Sequence, residues 1–341
     1  MVSRVAIGFV TLHLLASFAT GQTQGSVRLR GEITTDGPSM SFRAVLENPG
    51  DRNAVVGDTT GGPDGRFEFQ GLNRGKYRLV VWINGKKQPQ RTFEVVCKPG
   101  STMNKYFFYG KDDTTLMFSF PLEDPNVVDA AELQGNYPRD VLREYERSYE
   151  DYIGENYGRA VQRLESIVAR APGFYGAHAR LGMIYQQGGC YTDAEAEYAI
   201  AVSLSPRSAQ PLINLASLQI QAAEESADSM SMLHRALDNL EKALAIKPNS
   251  AVARTLSGAA SVKSSLYDEA ESSFQRALEI DTDMRAARLM LANLYMKQER
   301  WKEAIEHLNA YLEDHPFASD RAAVKRMRFD AEMSLKETQQ Q

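Results

Sequence analysis

Apolar and polar positions change rhythm once along the chain. From residue 26 to about 120 they alternate over short runs, the period of a half-buried strand. Val27, Leu29 and Ile33 alternate with charged neighbours, Val45 and Leu46 mark the next run, and Phe67 and Phe69 flank Glu68. Tyr77, Leu79, Val81 and Ile83 form one stripe, followed at once by Asn84-Gly85. That pair predicts a hairpin, because both residues accept positive φ. Asp36-Gly37 and Asp64-Gly65 are further turn signals, and later strands are expected at Thr92–Cys97, Met103–Tyr109 and Thr114–Phe120. Seven or eight short strands in this span predict an antiparallel β-sandwich.

From 139 to 318 the pattern is helical and repeats every 34 residues. Pro172 and Pro206 are 34 apart, Pro206 and Pro248 are 42 apart, and Pro248 and Pro316 are 68 apart. With these prolines at position 32, position 20 is Ala160, Ala194, Ala236, Ala270 and Ala304. Position 8 is Ser148, Gly182, Ala216, Gly258 and Ala292, and position 27 is Ile167, Ala201, Ala243, Ala277 and Tyr311. Position 24 is bulky throughout: Leu164, Tyr198, Leu240, Phe274 and Leu308. Small residues at 8 and 20 let two helices approach closely, and proline stops the second helix because it has no N–H to donate. The 8 extra residues of the third unit fall around Glu224–Ser231 and are expected to lengthen the turn or the helix ends.

These residues carry two resemblances. The helical half resembles the tetratricopeptide repeat family, with the cleanest copy in Leu181-Gly182, Tyr185, Ala194, Tyr198, Ala201 and Pro206. This implies about five antiparallel helix pairs over 139–318, stacked as a solenoid. The first repeat lacks the signature in its first helix, and the fourth has Ser261 at position 11 and Thr282 in place of proline. Residues 26–120 resemble the carboxypeptidase regulatory-like β-sandwich family through Gly31, Asp36-Gly37, Asp64-Gly65-Arg66-Phe67-Glu68-Phe69, Gly71-Leu72 and Gly75-Lys76-Tyr77-Arg78-Leu79. Ser39-Met40-Ser41-Phe42 departs from that family's pattern. Such modules are non-catalytic; a generic immunoglobulin-like sandwich is the alternative. The expected fold is therefore multidomain, an all-β sandwich followed by an all-α solenoid. Residues 121–138, punctuated by Pro121, Pro125 and Pro138, read as a linker. Residues 319–338 read as a closing helix with Ala322, Ala323, Met327 and Leu335 on its apolar side.

Residues 1–21 have the layout of an export signal: Arg4, an apolar run from Val5 to Phe18, then small residues. The run is shorter than the ~20 residues of a membrane span, so a periplasmic or extracellular protein of bacterial type is expected, with no transmembrane segment in the mature chain. The net charge of −5 divides unevenly, +2 over residues 22–125 and −8 over 126–341. An acidic helical array is a poor surface for nucleic acid or anionic lipid. Cys97 and Cys190 are too few for a disulfide framework or a four-thiolate zinc site. They fall in different modules and each reads as a buried small hydrophobe, with an internal bridge as the less favoured reading.

Candidate chemistry is sparse. His13, His178, His234, His307 and His315 make no metal spacing. His178, at position 4, reads as a packing residue. No nucleophile elbow, P-loop or dinucleotide fingerprint occurs. Gly188-Gly189-Cys190 reads as an inter-helix turn, and Cys190 has no nearby base. No catalytic, cofactor or metal residue is expected. The family resemblance places groove-lining positions on each first helix, which selects Tyr145, Tyr149, Tyr152, Met183, Gln186, Asn214, Asn293 and Met296. Lysine and arginine are absent from this set, so a clamp for a terminal carboxylate is not expected there. The tyrosines also read as the buried stripe of an atypical first helix. The function that follows is an exported, non-enzymatic interaction or scaffold protein with a protein or peptide partner, the sandwich acting as an auxiliary module. The alternative is glycan or cell-wall binding through Trp82, Tyr77, Tyr106 and Tyr109.

Overall fold

A computed structural model describes residues 26–35, 41–108, 137–223, 228–318 and 320–340. The strands are β1 (Val27–Thr34), β2 (Phe42–Asn48), β3 (Ala54–Gly61), β4 (Arg66–Leu72), β5 (Gly75–Ile83), β6 (Lys86–Lys87), β7 (Arg91–Val95) and β8 (Thr102–Phe108). One sheet has the order β4-β1-β8; the other has β3-β2-β5-β6, with β7 also on β5. The predicted stripe faces the core, since Tyr77, Leu79, Val81 and Ile83 are all buried. Asn84 and Gly85 both adopt positive φ, 49° and 78°, and connect β5 to β6. The pairing is not wholly antiparallel, because β8 runs parallel to β1 from Arg28↔Thr102 to Thr34↔Phe108. The chain crosses from the second sheet to the first after β7 and so enters beside β1 from the same end. The strand expected at Thr114–Phe120 lies outside the described residues.

Eleven helices follow among the described residues: α1 (Arg139–Ile153), α2 (Tyr157–Arg170), α3 (Tyr175–Gly188), α4 (Tyr191–Leu204), α5 (Ala209–Ala222), α6 (Ser229–Ile246), α7 (Ala251–Lys263), α8 (Tyr267–Ile280), α9 (Arg285–Lys297), α10 (Trp301–Asp314) and α11 (Arg321–Gln340). They pair as five hairpins in the 34-residue register, with α11 packed on the last. Every residue at positions 20, 24 and 27 is fully buried, from Ala160, Leu164 and Ile167 to Ala304, Leu308 and Tyr311. The small residue at position 8 sits under the bulky one at 24. A Cβ on Gly182 would stand 2.6 Å from the Tyr198 ring, and one on Gly258 would stand 2.5 Å from Phe274. The insertion in the third unit lengthens its second helix: α6 has 18 residues, against 14 in α2, α4, α8 and α10. On α11, Ala323, Val324 and Ala331 are buried, while Phe329 and Met333 are exposed.

The sandwich and the first repeats share one core. A single buried cluster joins Leu29, Leu79, Val95, Val96, Cys97 and Met103 to Val161, Leu164, Tyr185, Cys190 and Tyr198. Packing makes the sandwich and the first two repeats one body; the linker expected over 121–138 lies, but for its last two residues, outside the described residues.

Candidate functional site

The groove residues selected from the sequence occupy three environments. Tyr145, Met183, Gln186 and Asn214 are buried; Tyr149, Tyr152 and Met296 are half-buried; Asn293 is exposed. Tyr145 donates its hydroxyl to the Gly176 carbonyl at 3.3 Å and lies beneath the guanidinium of Arg180, 3.6 Å from the ring centroid. Arg180 is itself 1% exposed and donates to the Tyr145 carbonyl and the Ser148 hydroxyl at 2.6 and 2.9 Å. Gln186 donates to Gln221 at 3.1 Å and accepts from the Tyr198 hydroxyl at 3.0 Å. Tyr152 accepts from Gln187 at 2.7 Å. Tyr145 and Gln186 thereby fasten neighbouring first helices together. The accessible side chains are Tyr149, Tyr152, Asn293 and Met296, at the two ends of the array.

A second constellation, which the sequence did not expose, lies where the sandwich meets α2, α3 and α4. Cys97 and Cys190 form a disulfide with Cα atoms 5.4 Å apart, across 93 residues of sequence. Both are fully buried, as a small hydrophobe would be, but they are bridged rather than independent. Around the bridge, Arg74 makes a two-pronged ion pair with Glu165, both bonds 2.8 Å, and donates through Nε to the Cys97 carbonyl at 3.0 Å. Asp193 accepts from the Lys98 backbone N–H and the Ser101 hydroxyl, each at 2.8 Å. Lys98 Nζ donates to Glu197 at 2.6 Å, and the other Glu197 oxygen lies 2.7 Å from His178 Nδ1. His178 is thus a polar junction residue as well as a packed one. Cys97, Cys190 and Asp193 bring ligand-type atoms within 4.8 Å of one another. In the bridged state neither sulfur is a thiolate, and the carboxylate already has two donors.

Charged groups half out of water are tolerable here because each is paired. Burial alone would raise the Glu165 carboxyl, but the hydrogen bonds and charge of Arg74 outweigh it and hold it below the ordinary carboxylate value. Burial opposes ionisation of Glu197 in the same way, and His178 and Lys98 together reverse it. Burial, then the charge of Glu165, pushes the Tyr185 phenol upward, so it stays neutral and donates a hydrogen bond to Glu165 at 3.1 Å.

Gly189 shows why this docking is specific. It sits at position 15, the inter-helix turn, with φ +81°. The same position holds Glu155, Ser265 and Glu299 at φ 56°, 61° and 58° in other repeats. The turn therefore accepts a side chain. What excludes one at 189 is the sandwich: a Cβ there would stand 2.0 Å from the Asn104 carbonyl oxygen. The Gly189 carbonyl accepts from the Asn104 N–H at 3.0 Å, so the turn caps part of the free edge of β8.

The aromatic residues considered for sugar binding are separated. Tyr77 is buried, stacked on Phe93, with its hydroxyl donating to the Asn73 carbonyl at 3.0 Å. Trp82 lines a shallow groove of about 420 Å³, flanked by Arg43 on β2 and Lys87 on β6, 5.5 and 5.8 Å from the ring. Those cations compete with a sugar for the indole faces. Tyr106 is exposed, and Tyr109 lies outside the described residues.

Two stretches, residues 152–209 and 261–327, match family descriptions of the tetratricopeptide repeat. No curated protein matches the chain. Among solved structures, the chain is similar to a thermophilic tetratricopeptide repeat protein from Thermus thermophilus, at 22% identity, covering 57% of this chain and 98% of that one with a TM-score of 0.49. It is similar to PilW, a type IV pilus biogenesis factor, at 18% identity, covering 59% and 94% with a TM-score of 0.47. A tetratricopeptide repeat protein from Parabacteroides merdae ATCC 43184 matches at 21% identity, covering 59% and 79% with a TM-score of 0.45. The helical half is a tetratricopeptide-repeat solenoid, a fold that generally serves as a protein-interaction scaffold. Among the described residues no helix is long and apolar enough to cross a membrane.

Proposed function

We propose that this is an exported, non-enzymatic scaffold that holds a protein partner on its repeats while the sandwich, a carboxypeptidase regulatory-like module, fixes the orientation of the first repeats. The observation that carries this is the bridged, ion-paired junction. Such a joint holds two interaction modules at a set angle, which a flexible tether would not do. A buried disulfide between domains also suits an oxidising compartment, in keeping with the leader-like residues 1–21. Partner contacts are assigned to the accessible groove residues Tyr149, Tyr152, Asn293 and Met296, with aromatic rings as anchors. Tyr145, Met183, Gln186 and Asn214 are assigned to the groove's framework.

The test is crosslinking of the full chain in envelope extract, comparing wild type with Tyr149→Ala. Support would be a specific protein whose capture weakens in the variant while the melting temperature holds. Absence of any specific protein, or a variant that melts far earlier, would count against this assignment.

A further inference from the structure

The outer face of α11 is apolar where a helix closing a helical array is expected to be polar. Its inner side carries Val324 and Ala331, both buried, Val324 in one cluster with Leu308, Tyr311 and Leu312 of α10. Among the described residues α10 is its main packing partner. At about 100° per residue, the side directly opposite carries Ala322, Phe329 and Met333. All three are exposed, Phe329 by 57% and Met333 by 41%. The turn before α11 adds Phe317, 97% exposed. It stands at position 33, where the other repeats have Gly173, Arg207, Asn249 and Asp283.

The charges of α11 are sorted by half. Residues 321–328 hold Arg321, Lys325, Arg326 and Arg328 and no acid; residues 329–337 hold Asp330, Glu332 and Glu337 against Lys336 alone. The helix dipole favours the reverse order, acids early and bases late. Within one chain the two halves meet through Arg328 and Glu332, 3.3 Å apart on successive turns. An antiparallel second copy would join them along their length, laying each basic half on an acidic one and opposing the two dipoles. The flanks of the apolar stripe agree with this. Lys325 and Glu332 lie on one flank, Arg326 and Asp330 on the other, and in an antiparallel pair like flanks meet. Setting Phe329 on its counterpart at a two-fold axis places Lys325 of one copy across from Glu332 of the other, and Arg326 across from Asp330. Symmetry repeats each pair, so one face supplies both sides of the contact.

We propose that this face of α11 is a homodimer interface, in which two copies of the chain pair antiparallel with Phe329 at the two-fold axis and Met333 packed beside it. The interface is separate from the groove residues assigned above and does not depend on that assignment. On the scaffold reading, a chain paired this way presents its repeats twice, which raises avidity for a repeated partner.

Sedimentation equilibrium of the full chain tests this. A reversible dimer is expected, with a dissociation constant of about 1–100 μM, as suits an interface at the small end of the usual range. Phe329→Glu should weaken it at least about tenfold. Lys325→Glu should weaken it by a few fold, and Lys325→Glu with Glu332→Lys should recover most of that loss. Phe329 and Lys325 are exposed, so the melting temperature should hold in the single variants. The register has its own readout: Phe329→Cys should crosslink to its copy under mild oxidation and Lys336→Cys should not, and no native free thiol competes. A chain that stays monomeric at about 500 μM, leaving the face to a different protein or to water, would overturn the proposal. So would a dimer that Phe329→Glu leaves intact.

Discussion

Removing the Cys97–Cys190 bridge should uncouple stability at the junction. Cys97→Ala with Cys190→Ala leaves every ion pair of the interface in place and frees the denatured chain. The bridge closes a span of 93 residues, and the chain entropy it withholds from the unfolded state is worth about 4.6 kcal/mol at 25 °C. The sandwich and the first two repeats share a core and should melt together in the oxidised protein. For a unit of that size the loss corresponds to about 10–15 °C in melting temperature. Calorimetry on oxidised protein, on protein held in a phosphine reductant and on the double variant provides the measurement. The last two should agree, and both should show the sandwich melting apart from the first two repeats. Two titratable thiols in oxidised, denatured protein would refute the bridge. A shift under about 2 °C would refute the claim that it couples the modules.

Three further outcomes follow from the same geometry. Gly189→Asn should cost about 1–3 kcal/mol in denaturant unfolding through overpacking against Asn104, whereas Ser265→Asn, at the same turn position, should change stability by under about 0.5 kcal/mol; equal effects would place the requirement in the turn instead. Gly182→Ala should destabilise by about 1–3 kcal/mol by driving a methyl into the Tyr198 ring, and Tyr198→Leu in the same chain should recover part of the loss. Glu165 and Glu197 have folded pKa values below the ordinary 4.5, so their stabilisation is complete above that value and is lost as pH falls through the lower folded ones. Amide exchange of residues 97–101 and 190–197 should therefore accelerate in acid, after correction for intrinsic rates, and constant protection down to about pH 3 would contradict the pairing.

The amino-acid sequence by itself determined what is periodic. Prolines in a 34-residue register, small residues at positions 8 and 20 and bulky ones at 24 specify helix pairs, because each pair's packing is local. The period-2 stripe ending in Asn84-Gly85 likewise specifies a strand and its turn. Tertiary structure decided what depends on residues distant in sequence. Cys97 and Cys190 read as unrelated hydrophobes because pairing is a property of three-dimensional distance, not of spacing along the chain. Gly189 looked like an ordinary turn glycine, and only the approach of Asn104 explains why no side chain can stand there. Tyr145 and Gln186 fall on the groove positions of single helices, with Asn214 beside such positions, yet all three are buried. A side chain's own helix fixes its direction; whether it meets a partner, a wall or open space is fixed by the elements packed against it.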